Sequence, residues 1–362
     1  MRTAKLLVCA ALLTLLGQTA SANPFTRLWV FGDSTVDTGW YKVPKANSNP
    51  PTYSGEPSFD FYLAPSTPGG PTGAEQWDIG KPTVNPERMS VQELAHLLGV
   101  TARPHNQLNS QNQPGTNYAT SGARNKEYND ANSGRFPNAI PTQIQINHYL
   151  NKYVPNGRAL YVISSGGNDV AAALDAANGM CTADAKTAVE AAADGLAKKI
   201  HTLQANHAKY IIVANLPESY GDAEKQNCRQ DYDATLQSKL NSLGVEYAWG
   251  DVNAVRGKME GLPNTYGLDP NLLGTNNAAC SPPPNIGSSW ALLCSLTSRA
   301  STPSNADTSE FADNEHWAPA AQKVLGTYYL CLAKNTWPSL FAASPAPHEP
   351  PFACSLFDSS WS

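Results

Sequence analysis

Residues 28–34 of this chain read Leu-Trp-Val-Phe-Gly-Asp-Ser, a short apolar run that stops at a glycine and is followed by an acid and a serine. Short apolar runs of this kind, bounded by turn-forming residues, are typical of strands covered on both faces. Ser34 would then lie at the carboxyl end of a buried strand. Ligands of parallel sheets bind at that end, so Ser34 is the first candidate for a site residue.

Three further segments repeat this pattern along the chain. Each is a short apolar run that stops at small or turn-forming residues, and the predicted strands lie at residues 159–163, 210–214 and 245–249. Apolar residues at helical spacing occur between and after the strands, at residues 89–98, 183–203, 234–243 and 318–332. Strands that alternate with helices predict an α/β fold, with a mostly parallel central sheet between helices.

The N-terminus has the layout of a secretory signal peptide. Arg2 and Lys5 precede the apolar run Leu6–Leu16, and residues 20–22 (Ala-Ser-Ala) place small side chains where a signal peptidase cuts. The run is too short to span a membrane, and an uncleaved N-terminal anchor is the alternative. We expect residues 1–22 to be removed and the protein to be secreted or periplasmic.

Net charge excludes one class of partner. Loss of residues 1–22 from the 362-residue chain would leave 340 residues and change the formal net charge from −5 to −7. An acidic chain without a block of Lys or Arg lacks the electrostatic features of a nucleic-acid binder. No later stretch is apolar enough for a transmembrane helix. We therefore expect neither a nucleic-acid partner nor a transmembrane segment in the mature protein.

Cysteine usage agrees with export. Cys9 would leave with the signal peptide, and an even number of cysteines would remain in a compartment that permits disulfides. Free buried thiols are the alternative, and no spacing typical of a zinc site is present. The simplest pairing joins neighbours in the sequence: Cys181 with Cys228, Cys280 with Cys294, and Cys331 with Cys354.

Two stretches interrupt the alternation of strands and helices. Residues 44–86 and 264–307 are rich in Pro, Gly, Ser, Thr and Asn and are too long for plain connections. They could be functional loops over the site, or solvated loops packed by their own aromatic side chains. We predict one domain at residues 23–340, with loop insertions at about 41–88 and 264–307, and a C-terminal tail at residues 341–362.

A serine hydroxyl attacks an acyl carbon when a base takes its proton and hydrogen-bond donors stabilise the oxyanion. Among the seven histidines, His316 differs from the others because Asp313 precedes it by three residues. That aspartate can hold one ring nitrogen while the other faces the serine. Taken alone, the same spacing also fits a helix N-terminal acid beside an unrelated histidine.

Two further segments could supply oxyanion donors. Residues 115–123 form a loop of small residues in which the Gly122 N–H could approach a ligand closely. Asn168 follows the predicted strand at residues 159–163 and could direct its amide into the same crevice. Each segment taken separately is also compatible with a simple turn.

Taken in chain order, these segments resemble the GDSL or SGNH hydrolase family. They are Gly-Asp-Ser at residues 32–34, Gly-x-Asn-Tyr-Ala-x-x-Gly-Ala at 115–123, Gly-Gly-Asn-Asp at 166–169 and Asp-x-x-His at 313–316. The resemblance covers residues 28 to about 330 and looks most like the bacterial branch of secreted lipases, phospholipases and glycerophospholipid acyltransferases. It implies a flavodoxin-like, three-layer α/β/α domain.

The resemblance also implies roles for individual residues. Ser34 would be the nucleophile, His316 the base and Asp313 the residue that orients the histidine. The oxyanion hole would consist of the Ser34 N–H, the Gly122 N–H and the Asn168 side chain. The implied reaction is hydrolysis of a small-molecule or lipid ester through an acyl-serine intermediate, with no cofactor and no metal.

Other functions fit the same residues. The same site could serve a phospholipase, or an acyltransferase in which an alcohol replaces water; either would act on glycerophospholipids. A carbohydrate O-acetylesterase and a non-catalytic binding protein are further alternatives. Asp33, Asp37 and Asp169 near strand ends could instead bind a divalent cation. The Gly-x-Ser-x-Gly elbow of α/β-hydrolases is absent, which argues against that fold.

Overall fold

The computed structural model describes residues 23–41, 80–127, 139–218, 221–281, 290–294 and 304–357. Within these ranges no helix has the length and apolar character needed to cross a membrane. Several expectations from the sequence lie outside the described residues. They are the signal peptide at 1–22, most of the first loop insertion (42–79), much of the second (282–289 and 295–303) and the end of the tail (358–362).

The strands of the described residues form one parallel sheet in the order β1-β2-β3-β4. Its register places Phe31 beside Ile163, Ile163 beside Val213, and Val213 beside Trp249. Parallel neighbours need crossover connections, and helices occur in each of them. The strands are β1 (Arg27–Gly32), β2 (Ala159–Ser164), β3 (Tyr210–Ala214) and β4 (Ala248–Gly250).

Helices cover both faces of this sheet. Leu28 and Val30 of β1 belong to one buried apolar cluster, whereas Trp29 and Phe31 belong to another. Because successive side chains of a strand point to opposite faces, the sheet is the middle of three layers, which confirms the predicted α/β/α fold. One face carries α1 (Ser90–Leu97), α6 (Val252–Gly261), α7 (Pro319–Thr336) and α8 (Pro338–Ala343); the other carries α2 (Thr142–Lys152), α3 (Gly167–Ala176), α4 (Ala183–Ala205) and α5 (Ala223–Ser242).

The start of β4 differs from the prediction. The apolar run suggested a strand from Val245, but the strand begins at Ala248. The Val245 N–H donates to the Leu240 carbonyl (3.0 Å) and thereby closes the preceding helix. Its apolar side chain is buried for this reason and not because it belongs to the sheet.

Helix α5 begins at Ala223, well before the predicted start at Ala234. Its first turns are polar, so they carry little apolar periodicity. The Asp222 carboxylate caps the helix by accepting a hydrogen bond from the Lys225 N–H (2.8 Å). The buried side chains of α5 are spaced four residues apart, at Cys228, Tyr232, Leu236 and Leu240.

Three disulfides join cysteines that are neighbours in the sequence, and this confirms the predicted pairing. They are Cys181–Cys228, Cys280–Cys294 and Cys331–Cys354. The last of them connects α7 to the C-terminal segment, where Phe357 packs against Tyr328 of α7 with ring centroids 5.8 Å apart. Phe357 and Phe341 both belong to the buried cluster on this face of the sheet. Residues 338–357 therefore pack on the domain.

Replacement of both Cys331 and Cys354 by alanine should lower the unfolding free energy by about 2–4 kcal/mol, because the crosslink restricts the unfolded chain. We would measure urea denaturation of this variant and of a matched control, Cys280→Ala/Cys294→Ala. The two pairs are separated by 23 and 14 residues, so the control should lose slightly less stability. A midpoint equal to that of the parent protein would show that Cys331–Cys354 does not contribute.

Candidate active site

Ser34 lies in the turn that directly follows β1. At Gly32 the backbone runs so close to β2 that a Cβ atom would lie 1.9 Å from the Ser164 carbonyl oxygen, and its φ is +149°. Only glycine fits there. The Asp33 N–H donates to the same carbonyl (3.1 Å). These contacts turn the chain at the end of the strand and place Ser34 at the carboxyl edge of the sheet.

Two buried carboxylates hold this turn. Asp33 accepts hydrogen bonds from the N–H (3.0 Å) and the hydroxyl (2.8 Å) of Thr35, and burial raises its pKa in spite of these bonds. Asp37 accepts from the N–H (2.8 Å) and the hydroxyl (2.7 Å) of Ser121, and burial raises its pKa to about 6. The turn after β1 is thereby tied to the loop at 121–123.

His316 and Asp313 form a buried pair. The imidazole Nδ1 lies 2.9 Å from Oδ2 and 3.0 Å from Oδ1 of the carboxylate. Asp313 is 0 % exposed and accepts from the backbone N–H groups of Ala291 (2.9 Å), Glu315 (2.8 Å) and His316 (2.7 Å). Charge-assisted hydrogen bonds of this number hold a carboxylate in one orientation, so the imidazole is held as well.

The pair shifts the pKa of each member. Burial alone would lower the pKa of His316, but the Asp313 carboxylate, with Glu315 and Asp33, outweighs burial and raises the pKa above its usual 6.5. Burial alone would raise the pKa of Asp313, but His316 and the backbone donors lower it. Asp313 is therefore ionised and fixes the proton of His316 on Nδ1. Nε2 has no hydrogen-bond partner among the described residues.

Asn168 lies at the start of α3, directly after a tight turn. Gly166 has a φ of +130°, and a Cβ there would lie 2.2 Å from the ring of Tyr232. The Asn168 amide donates one hydrogen bond, from Nδ2 to the Ala123 carbonyl (3.1 Å), and its second N–H is left for another acceptor. Gly122, with a φ of +85°, precedes Ala123 in the chain, so Asn168 lies next to the turn that contains it.

Two cavities meet at Ser34. The larger, of about 320 Å³, has Ser34, Asn168 and His316 in its wall. The smaller, of about 30 Å³, lies between Ser34, His316 and Trp317. The structure therefore brings Ser34, His316 and Asn168 together, with Asp313 behind the histidine. Gly122 is not among the described residues that line these two cavities, but it directly precedes Ala123, whose carbonyl accepts a hydrogen bond from Asn168.

A comparison with family models agrees with this geometry. The model of the GDSL-like lipase/acylhydrolase family matches residues 28–328, most of the chain. The chain belongs to this family. It is a hydrolase that acts on ester bonds, and its substrates are small-molecule or lipid esters. A comparison with curated proteins found no match.

The large cavity of this GDSL-family hydrolase contains charged residues that sequence reasoning missed. Lys225 Nζ lies 2.8 Å from Glu315 Oε1, beside His316. Arg229 lies one helical turn after Lys225 and donates a hydrogen bond to the Pro217 carbonyl. Lys225 and Glu315 are 90 residues apart in the chain, so no local spacing could have indicated their pairing.

The three aspartates considered as metal ligands accept hydrogen bonds from other residues of the GDSL-family domain. Asp33 and Asp37 accept from the turn and loop described above. Asp169 accepts from the Asn125 N–H (2.9 Å) and lies 3.6 Å from Arg124 Nε, and burial raises its pKa to about 7. Across the described ranges, no group of three or more His, Cys, Asp or Glu side chains is placed to hold a metal ion. We assign these three aspartates to loop structure.

Proposed function

We propose that the chain is a serine esterase or lipase in which Ser34 is the nucleophile, His316 the general base and Asp313 the residue that orients it. One observation carries this proposal. Asp313 holds Nδ1 of His316 at 2.9 Å, while the imidazole and Ser34 line the same two cavities. A base held from behind, with its second nitrogen toward a hydroxyl, is the arrangement that activates a serine.

In the acylation step, Ser34 Oγ attacks the carbonyl carbon of the ester and His316 Nε2 accepts the hydroxyl proton. Negative charge develops on the carbonyl oxygen, where the N–H groups of Ser34 and Gly122 and the amide of Asn168 would stabilise it. The intermediate then expels the alcohol, which takes the proton from His316. The products of this step are the free alcohol and an acyl ester on Ser34.

In the deacylation step, water attacks the acyl carbon and His316 accepts one of its protons. The same donors stabilise the second oxyanion. Collapse of this intermediate breaks the bond between the acyl carbon and Oγ, and Ser34 recovers its proton from His316. The carboxylic acid leaves and the starting state is restored.

Diisopropyl fluorophosphate tests the assignment of the nucleophile. Ser34 Oγ should attack phosphorus and displace fluoride, which leaves a diisopropyl phosphoryl group on this one serine. Peptide mass spectrometry should locate the adduct on the fragment that contains Ser34, and His316→Ala should slow its formation. An adduct on any other serine would contradict the proposal.

Asn168→Ala should lower kcat for p-nitrophenyl butyrate by a factor of about 10²–10³ with little change in KM, because an oxyanion donor acts mainly in the transition state. Steady-state kinetics measures both constants. The matched control is Asn147→Ala, which removes an exposed amide that pairs with Lys199 (2.8 Å) away from the site. A rise in KM without a fall in kcat would assign Asn168 to substrate binding and not to the oxyanion hole.

We further propose that the chain is exported, with residues 23–340 as the hydrolase domain. The signal-like N-terminus supports this, and so do the three disulfides, since such bonds persist in oxidising compartments. Fractionation of producing cells should recover the protein outside the cytosol with Asn23 as its first residue. Protein that is retained in the cytosol with residues 1–22 attached would contradict this proposal.

A further inference from the structure

We propose that a groove at the edge of the sheet, distant from Ser34, binds a neutral oligosaccharide. This edge groove lies between α5, β4 and the end of α7, and three aromatic side chains line it: Tyr247, Trp249 and Trp337. The groove is shallow and largely open to solvent.

The edge groove lies along β4 at one edge of the four-stranded sheet, whereas Ser34 follows β1, the strand at the other edge. The ring of Trp337 packs edge-on against Tyr210, with centroids 5.2 Å apart, and Tyr210 is the first residue of β3. Ser34, in contrast, lies two residues beyond the end of β1. Three strand-to-strand steps separate β1 from β4 by roughly 14 Å, and none of the described residues that line the groove lines either cavity at Ser34. A ligand in the groove would therefore not occupy the ester site.

The aromatic side chains are held rigidly. Tyr247 and Trp249 have ring centroids 6.2 Å apart at an interplanar angle of 77°, and both pack against the buried cluster beneath α4 and α5. Trp337 is held from the other side by Tyr210 and by Phe25, whose ring centroid is 6.4 Å away. All three groove side chains are half-buried. Fixed aromatic faces of this kind offer flat apolar surface, which matches the C–H face of a pyranose ring.

Polar groups surround these rings. The Tyr247 hydroxyl donates to Asn241 Oδ1 (3.0 Å) and is also hydrogen-bonded to the Gln237 side chain. These bonds fix the Asn241 amide with its oxygen toward the tyrosine. Asn241 Nδ2 and the Trp249 indole N–H have no partner among the described residues. Sugar hydroxyls both donate and accept hydrogen bonds, so they suit such amide and indole groups.

The charge of the groove argues against other ligands. No Lys or Arg is among the described residues that line it, and the one charged side chain is the exposed Glu246. An anionic ligand would therefore find no counter-charge. A purely apolar ligand would cover the Asn241 amide and the Trp249 N–H without satisfying them, which is unfavourable. A neutral sugar can pack its C–H face on the rings and accept hydrogen bonds from the donors through its hydroxyl groups.

Calorimetric titration of the Ser34→Ala protein with cellohexaose, xylohexaose and the N-acetylglucosamine hexamer tests the proposal. None of these probes carries an ester bond that the catalytic site could hydrolyse. The result therefore does not depend on the proposed reaction. We expect at least one probe to bind with a Kd below about 1 mM. Trp249→Ala should weaken that binding at least about tenfold.

Two further variants separate binding from folding. Asn241→Ala changes an exposed side chain and should weaken binding without lowering the melting temperature. Tyr153→Ala removes another half-buried aromatic, at the end of α2, and should leave binding unchanged. The proposal is overturned if none of the three oligosaccharides binds, or if Trp249→Ala and Asn241→Ala both bind as tightly as the parent.

Discussion

Ser34→Ala should lower kcat for p-nitrophenyl butyrate by a factor of about 10⁴–10⁶, with a much smaller change in KM. The reason is chemical: without Oγ no acyl-enzyme can form, and His316 has no hydroxyl to deprotonate. The donors of the oxyanion hole would remain and could still stabilise direct attack by water, which accounts for residual activity. Initial rates of p-nitrophenol release measure the effect.

The matched control for this variant is Ser242→Ala. Ser242 is exposed at the end of α5, and its hydroxyl donates to the Lys239 carbonyl (2.9 Å). Its loss should leave kcat and KM unchanged. Both variants should melt at the temperature of the parent protein, since Ser34 has no packing role that alanine would fail to fill. If Ser34→Ala retained a tenth or more of the parent kcat, another residue would have to be the nucleophile.

Asp313→Asn should lower kcat by a factor of about 10⁴. The asparagine amide has nearly the same shape but no charge, so it would not stabilise the imidazolium that forms during acylation. It could also donate a hydrogen bond to the ring and favour the wrong tautomer. Kinetics on p-nitrophenyl butyrate measures the loss of kcat.

The same variant should change the pH dependence. In the parent, kcat/KM should rise as His316 loses its proton, with a midpoint above 6.5, because the Asp313 charge outweighs burial and raises the pKa of His316. Asp313→Asn removes the charge that opposes the effect of burial. The pKa of His316 should therefore fall, and the midpoint of the pH profile should move to lower pH. Glu315→Gln, which removes a weaker neighbouring charge, should move it less. Equal midpoints in the parent and Asp313→Asn would contradict the assigned pair.

Most of the sheet could be predicted from the sequence, because a strand buried on both faces is a continuous apolar run. β1, β2 and β3 match their predicted positions to within a residue at each end. The prediction was wrong at the start of β4, since Val245 is buried as the residue that closes α5. A short apolar run does not show which of its residues join a sheet.

Buried charge was harder to predict. Arg256 is 1 % exposed on α6, where its Nε lies 3.0 Å from Glu310 Oε1, and Glu310 is 0 % exposed. Both residue types are ordinarily found at the surface. Each of the two is buried because it pairs with a partner 54 residues away. The residues next to either one in the sequence do not indicate that partner.

Three features could be predicted from the sequence alone: the strand that ends before Ser34, the Asp313/His316 spacing and the order of the four family segments. The strand and the Asp313/His316 spacing are local features, which backbone geometry and short-range hydrogen bonds set. The catalytic roles of these residues stay predictions.

The tertiary structure brings further groups, distant in the chain, into the cavity with Ser34. It brought Lys225 beside Glu315 and tied Asn168 to the loop that carries Gly122. It also assembled the edge groove from α5, β4 and α7. The three-layer packing of helices on a parallel sheet sets these distances, and positions along the chain do not encode them. Ser34 and its triad partners could be proposed from the sequence, whereas the Lys225/Glu315 pair beside them could not.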